Sequence, residues 1–128
     1  MTLNVVSTDK LLTSFARLGE WMKSFAENSI GIEDAAMLSK ITQANPWFTK
    51  ENILLSFSSW ADALKEENIN RWPKAYSGFE TSKNPKTIGV INAGNIPLVG
   101  LHDLLCVLAS GHRYLGKNAS DDQHLLPF

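Results

Sequence analysis

Residues 86–117, KTIGVINAGNIPLVGLHDLLCVLASGHRYLGK, decide the fold. Thr87–Ile91 is an almost continuous run of apolar and β-branched residues interrupted only by Gly89. That composition suits a buried parallel strand better than a half-exposed antiparallel one. Asn92-Ala93-Gly94-Asn95 breaks the run, and Gly94 permits a tight backbone turn. Pro97 fits the first turn of a helix, where its missing N–H costs nothing. Leu98, Leu101, Leu105 and Leu108 recur at helical spacing, and Gly111 stands where a left-handed cap would end the helix. Arg113–Lys117 reads as a second short strand. The unit is strand, glycine turn, helix, strand: a βαβ crossover, which is right-handed almost without exception.

The Gly94-Asn95 turn lies beyond the carboxyl end of the first strand and just ahead of an expected helix N-terminus. Open α/β sheets bind ligands there, because free backbone N–H groups and the helix dipole favour negative charge. With one glycine in the turn and no GxGxxG spacing, this is not the dinucleotide fingerprint. Two readings stand on these residues, a ligand site and an ordinary tight turn.

Composition bounds the rest. A chain of 128 residues supports one domain with a modest core. Twelve basic residues against thirteen acidic leave a net charge of −1, and the basic residues are scattered, so neither nucleic acid nor an anionic membrane is implied as a partner. No apolar run reaches transmembrane length, and the region around Asp9 and Lys10 lacks a signal-peptide core. A single cysteine, Cys106, rules out an internal disulfide and fits a reducing cytoplasm.

Before the crossover the chain reads as helices. Ser7 or Thr8 can cap a first one, with Leu11, Phe15, Leu18, Met22 and Phe25 along one face and an end at Asn28-Ser29 and Gly31. A second covers Glu33 to Gln43, with Ala35, Leu38 and Ile41 inward and Glu33 and Asp34 complementing the dipole. Asn45-Pro46-Trp47-Phe48-Thr49 forms the break, with Trp47 and Phe48 plugging the junction and Thr49 capping the helix ahead. That third helix runs from about Lys50 to Glu67, with Ile53, Phe57, Trp60 and Leu64 inward. A short helical piece around Trp72 is limited by Pro73, and the polar stretch from Ser77 to Pro85 separates a helical lead-in, 1–80, from the α/β unit, 81–128. Ser120-Asp121-Asp122-Gln123 is a capping box, which predicts a helix start. Two parallel strands alone do not make a stable sheet. The chain therefore reads as a fragment of a longer protein, or as one that completes its sheet with another chain.

Few side chains carry chemistry. Cys106 falls mid-helix and reads as an inert buried thiol. His102 and Asp103, adjacent on a helix, should point to different faces. His112 and His124 have no second ligand at metal spacing, so no metal site is expected.

The run Ile88-Gly89-Val90-Ile91-Asn92-Ala93-Gly94-Asn95-Ile96-Pro97-Leu98 resembles the aldehyde-dehydrogenase superfamily pattern of a strand and a tight turn carrying Asn-x-Pro. Asn45-Pro46-Trp47-Phe48-Thr49, Gly94 to Gly100, His102-Asp103 and Leu125-Leu126-Pro127-Phe128 resemble its acyl-CoA reductase branch, which includes the fatty-acid reductases of bioluminescent bacteria. The resemblance runs from about Leu11 onward. It implies an α/β fold: an N-terminal helical segment, then the first strand-helix-strand unit of an aldehyde-dehydrogenase-like nucleotide-binding domain, with the sheet incomplete. It also implies a cytoplasmic oxidoreductase that reduces an acyl-CoA or other acyl thioester to an aldehyde with NADPH or NADH, through a thioester on a cysteine. Asn95 matches the asparagine that donates to the oxyanion, and Lys117 the lysine near the cofactor's adenosine ribose. Ala93 and Gly94 would line the nicotinamide side. The sequence departs from the superfamily after Lys117, where Asn118, Ala119 and Ser120 stand in place of Pro-Ser-Glu, so NADPH and NADH both stay open. Cys106 does not match the catalytic cysteine, which lies downstream in this family, and these residues resemble the opening third of the enzyme. The rivals are a non-catalytic helical interaction module and a small nucleotide-binding regulator that dimerises.

Overall fold

Residues 8–27 and 31–127 are described by a computed structural model. Helices α1 (Thr8–Glu27), α2 (Ile32–Ala44), α3 (Lys50–Ala63) and α4 (Glu66–Arg71) come first, followed by a 3₁₀ turn at Pro73–Ala75. Strand β1 (Thr87–Ile91), helix α5 (Leu101–Ala109) and strand β2 (Arg113–Lys117) complete the described elements. Helix and strand are thus mixed, and β1 pairs with β2 in parallel, from Thr87 opposite Arg113 to Ile91 opposite Lys117. Both strands occupy the residues that their composition indicates.

The first helix packs on α3, and its buried side is Leu12, Phe15, Gly19, Met22 and Phe25. Leu12 and Gly19 take the places expected of Leu11 and Leu18, which are only partly buried. The reason is Gly19: a Cβ on it would lie 2.7 Å from the Cβ of Leu64, so its missing side chain lets the residue that caps α3 come up against α1. The Phe25 and Phe57 rings stack at 4.7 Å, an arrangement worth about 0.5–1.5 kcal/mol beyond the area they bury. Ser7, Asn28 and Ser29, expected to start and end α1, lie outside the described residues.

On α2 Leu38 and Ile41 are buried among the described side chains, and the stripe continues into Asn45 at the C-cap, leaving Ala35 exposed. At the following corner Phe48 is buried while Trp47 is 77% exposed. Neighbouring side chains on a tight turn point apart, so only one of the two enters the core. Thr49 caps α3, its hydroxyl accepting from the Asn52 N–H at 3.2 Å. That helix stops at Ala63, four residues short of Glu67. Asn68 Nδ2 donates to the Asp62 carbonyl at 3.0 Å, satisfying a helix-end acceptor and letting Lys65, in extended conformation, start α4.

The helix of the crossover begins at Leu101, not at Pro97. Residues 97–100 form a turn in which the buried Leu98 has φ 61°, and its carbonyl accepts from Leu101 N–H at 3.0 Å. At the other end the expected glycine cap is present: Gly111 has φ 78°. Gly111 N–H bonds to the Leu108 carbonyl and His112 N–H to the Val107 carbonyl, the two bonds of a Schellman motif. No helix starts at Ser120. Asp122 takes the capping role itself, its Oδ1 accepting from Leu125 N–H at 3.2 Å and closing a turn that buries Leu125.

One apolar cluster includes residues of both regions, with Ile53 and Phe57 of α3 alongside Leu105 of α5 and Leu125. The sheet is less enclosed than its composition suggests. Ile88 and Val90 are half-buried, but Ile91 is 83% and Leu115 63% exposed on the opposite face.

Gly111 is the position where backbone conformation and space coincide. An added Cβ would run into Thr81 and Ser82 as well as forcing a left-handed residue. Gly111→Ala should therefore lower stability by about 1–2 kcal/mol or more, read as a reduced urea midpoint with an unchanged m-value. A midpoint equal to wild type contradicts this account of the cap.

Candidate functional site

Both strands run in the same direction, so their carboxyl ends open on one edge, at Ile91 and Lys117. The ladder extends one step further, with Asn92 N–H donating to the Lys117 carbonyl at 2.9 Å. Buried Asn92 then ties the loops together. Its Nδ2 lies 2.8 Å from Tyr114 Oη and donates to Asn118 Oδ1 at 2.9 Å, while Tyr114 Oη donates to its Oδ1 at 3.0 Å. The chain passes so close at Gly100 that a Cβ there would meet Asn92 Oδ1.

Gly94 is required here by proximity, since its φ is not positive. A Cβ on Gly94 would sit 2.7 Å from Ala119 Cβ. The helical region reaches the same turn through Asn45, which is 2% exposed. Asn45 Nδ2 donates to the Gly94 carbonyl at 3.0 Å, and its Oδ1 accepts from Trp47 N–H at 3.0 Å in an Asx turn. The sequence pattern Asn-Pro signals the Asx turn. The long-range bond to Gly94 has no such signature.

Of the residues singled out from sequence, Ala93 and Asn95 are exposed, Gly94 is half-buried and Lys117 is exposed. The fold brings the Ala93-Gly94 backbone beside the Lys117-Asn118 segment through the Asn92 bonds. Among the described residues, the side chains of Asn95 and Lys117 hold no hydrogen bond or ion pair and are not bonded to each other. One expectation changes. The turn at 97–100 separates Asn95 from α5, and the Leu101 N–H is already taken by the Leu98 carbonyl. The helix therefore starts six residues after Asn95 rather than at Pro97. What remains at the turn is a fixed loop with a free carboxamide.

A second group of reactive side chains lies on α5. His102 and Asp103 are not held apart: His102 Nδ1 lies 3.8 Å from Asp103 Oδ1, both exposed, because rotatable side chains at a helix surface reach past their own positions. His102 also comes within 3.7 Å of Cys106 Sγ, at a spacing of four residues. Cys106 is partly exposed rather than buried, yet partial burial and the Asp103 carboxylate push its thiol above the usual range. A raised thiol pKa lowers the thiolate fraction, and the thiolate is the nucleophile. The described residues contain no cluster of three His, Cys, Asp or Glu able to hold a metal ion.

Comparison with protein families, with curated proteins and with solved structures gives no match.

Asp122 is the buried carboxyl of this edge, 4% exposed beneath Gly94 and Ala119. Burial raises its pKa against the opposing pull of the Leu125 and Leu126 N–H groups. The native state then binds the proton more tightly than the unfolded one, so this contribution is fully present below the unfolded value of about 3.9 and is lost as pH rises through the raised native value. Asp122→Asn keeps an oxygen acceptor for Leu125 and removes the titration. The variant should unfold at higher urea than wild type near neutral pH, with the gap shrinking towards about pH 4. A gap that widens on acidification contradicts the assignment.

Proposed function

We propose that this chain is the N-terminal part of an NAD(P)H-dependent acyl-thioester reductase, and that the carboxyl edge of β1 and β2 forms part of its cofactor and oxyanion site. The observation that carries the reading is the contrast among the asparagines of that edge. Asn45 and Asn92 are buried and hydrogen-bonded through both carboxamide atoms in holding the loops, whereas Asn95, on the turn they fix, is exposed with a carboxamide that makes no hydrogen bond among the described residues. A donor held on a fixed backbone loses little on meeting a developing oxyanion, which is where a hydrogen bond contributes most to rate.

In this reading Asn95 Nδ2 donates to the thioester oxygen as it gains charge. Lys117, exposed and without an anionic partner among the described residues, sits where a cofactor ribose or its phosphate would be received. The Ala93-Gly94 backbone lines the side facing the nicotinamide, and Asn45 keeps that backbone in place. The bound cofactor supplies hydride. The nucleophilic cysteine would come from elsewhere in the protein, since Cys106 does not match the family's catalytic cysteine and partial burial pushes its thiol further from the thiolate. The aldehyde-dehydrogenase-like identity of the domain rests on the sequence resemblance alone.

In the product of the complete gene, acyl-CoA should be reduced at the expense of NADPH or NADH. Asn95→Ala should lower kcat by roughly 100- to 1,000-fold, the usual effect of deleting one oxyanion donor. Lys117→Gln should raise KM for the cofactor with less effect on kcat. Wild-type-like turnover in Asn95→Ala would overturn the assignment, and a folded protein that neither reduces acyl-CoA nor binds either cofactor would overturn the function.

A second reading is supported by the exposed Trp47 and Leu55, at 77% and 66%, which suit a helical module that docks on a protein partner. It requires binding to a partner with no effect of nucleotide.

A further inference from the structure

Away from the sheet edge, a cavity of about 390 Å³ lies where α3, α4 and the 3₁₀ turn meet α5. Its volume falls within the range of small-molecule sites, roughly 300–1,000 Å³. Trp60, Leu64, Ile69, Trp72 and Leu105 give it apolar walls. The polar residues lining it are Asn68, Arg71 and His102, and no carboxylate is among the described residues that line it. Arg71 is exposed and makes no ion pair among the described residues. Asn68 uses its amide nitrogen on the Asp62 carbonyl, which leaves Arg71 as the fixed positive charge at the cavity.

We propose that this cavity binds a small, largely apolar molecule carrying one anionic group, with its body between the apolar walls and its charge at Arg71. The choice of an anion follows from charge complementarity: a cation would meet Arg71 with no carboxylate among the described lining residues to offset it, and a neutral apolar molecule would leave the guanidinium unused. Two indoles among the walls favour a flat, polarisable body, which gains dispersion contacts over its whole face. The site is distinct from the turn at Gly94-Asn95, so its fate is independent of the function proposed for that turn.

The test is equilibrium dialysis of the 128-residue chain with naphthalene-1-carboxylate and, separately, with the neutral naphthalene-1-carboxamide. The carboxylate should bind saturably and about threefold more tightly than the carboxamide, the scale of one solvent-exposed ion pair. Arg71→Gln, at an exposed position, should erase that preference while leaving carboxamide binding unchanged. Ala63→Trp, on the exposed end of α3 where it lines the cavity, should abolish binding of both probes, with folding checked by circular dichroism. The proposal is overturned if neither probe binds saturably, if Arg71→Gln keeps the preference, or if Ala63→Trp binds as wild type. Loss of probe binding as the protein dimerises would mean that a second copy occupies the cavity, and would overturn it too.

Discussion

The hydrogen bond from Asn45 Nδ2 to the Gly94 carbonyl, 3.0 Å long and spanning 49 positions of sequence, joins the helical region to the turn after β1. A buried amide left without partners would cost about 1–3 kcal/mol, so the break between α2 and α3 and the turn after β1 hold each other in place. Asn45 achieves this because its oxygen closes an Asx turn on Trp47 while its nitrogen is free to face outward from the helical corner. The same corner sends Phe48 into the core. Local turn and long-range contact are therefore one constraint, set by a single 2%-exposed side chain.

On the other side of the turn, packing does what hydrogen bonding does at Asn45. Gly94 lies against Ala119, Gly100 against Asn92, and Gly111 against Thr81 and Ser82. At each place the missing side chain is what lets two segments meet. Leu98, with φ 61° and its side chain buried, is the one non-glycine residue in the left-handed region among those described. Such a conformation costs about 1–3 kcal/mol and persists only where its surroundings fix it. It follows Asn95 by three residues, so the segment bearing the uncommitted carboxamide is anchored at both ends. That arrangement suits a donor whose direction matters.

Much of this was legible in the sequence because it depends on neighbours. The β-branched run at Thr87–Ile91, the Thr49 cap and the Gly111 cap are local patterns, and each stands where expected. Expectations failed where a competing turn or a distant contact outweighed the expected pattern. Pro97 could have opened a helix, but a turn held by Leu98 delays α5 to Leu101. Ser120 could have capped a helix, but Asp122 accepts from Leu125 and closes a turn instead. The α1 stripe turned towards Leu12 because Gly19 lets Leu64 approach. The candidate site divides in the same way. Asn95 and Lys117 stand out as motif positions, while Asn45, Asn92 and Asp122, which fix the edge, show only once the fold brings them under it. Exposed Ile91 and Leu115 mark a sheet face that the described residues leave open.

The central claim is that the nucleotide cleft is built at the carboxyl ends of β1 and β2. Hydrogen exchange of the complete gene product, followed by mass spectrometry with and without NADPH, locates it directly. The account predicts slowed exchange in peptides covering 92–97 and 113–119. Protection confined to peptides around 60–72, or slowed exchange nowhere in this chain while NADPH is demonstrably bound, would contradict it.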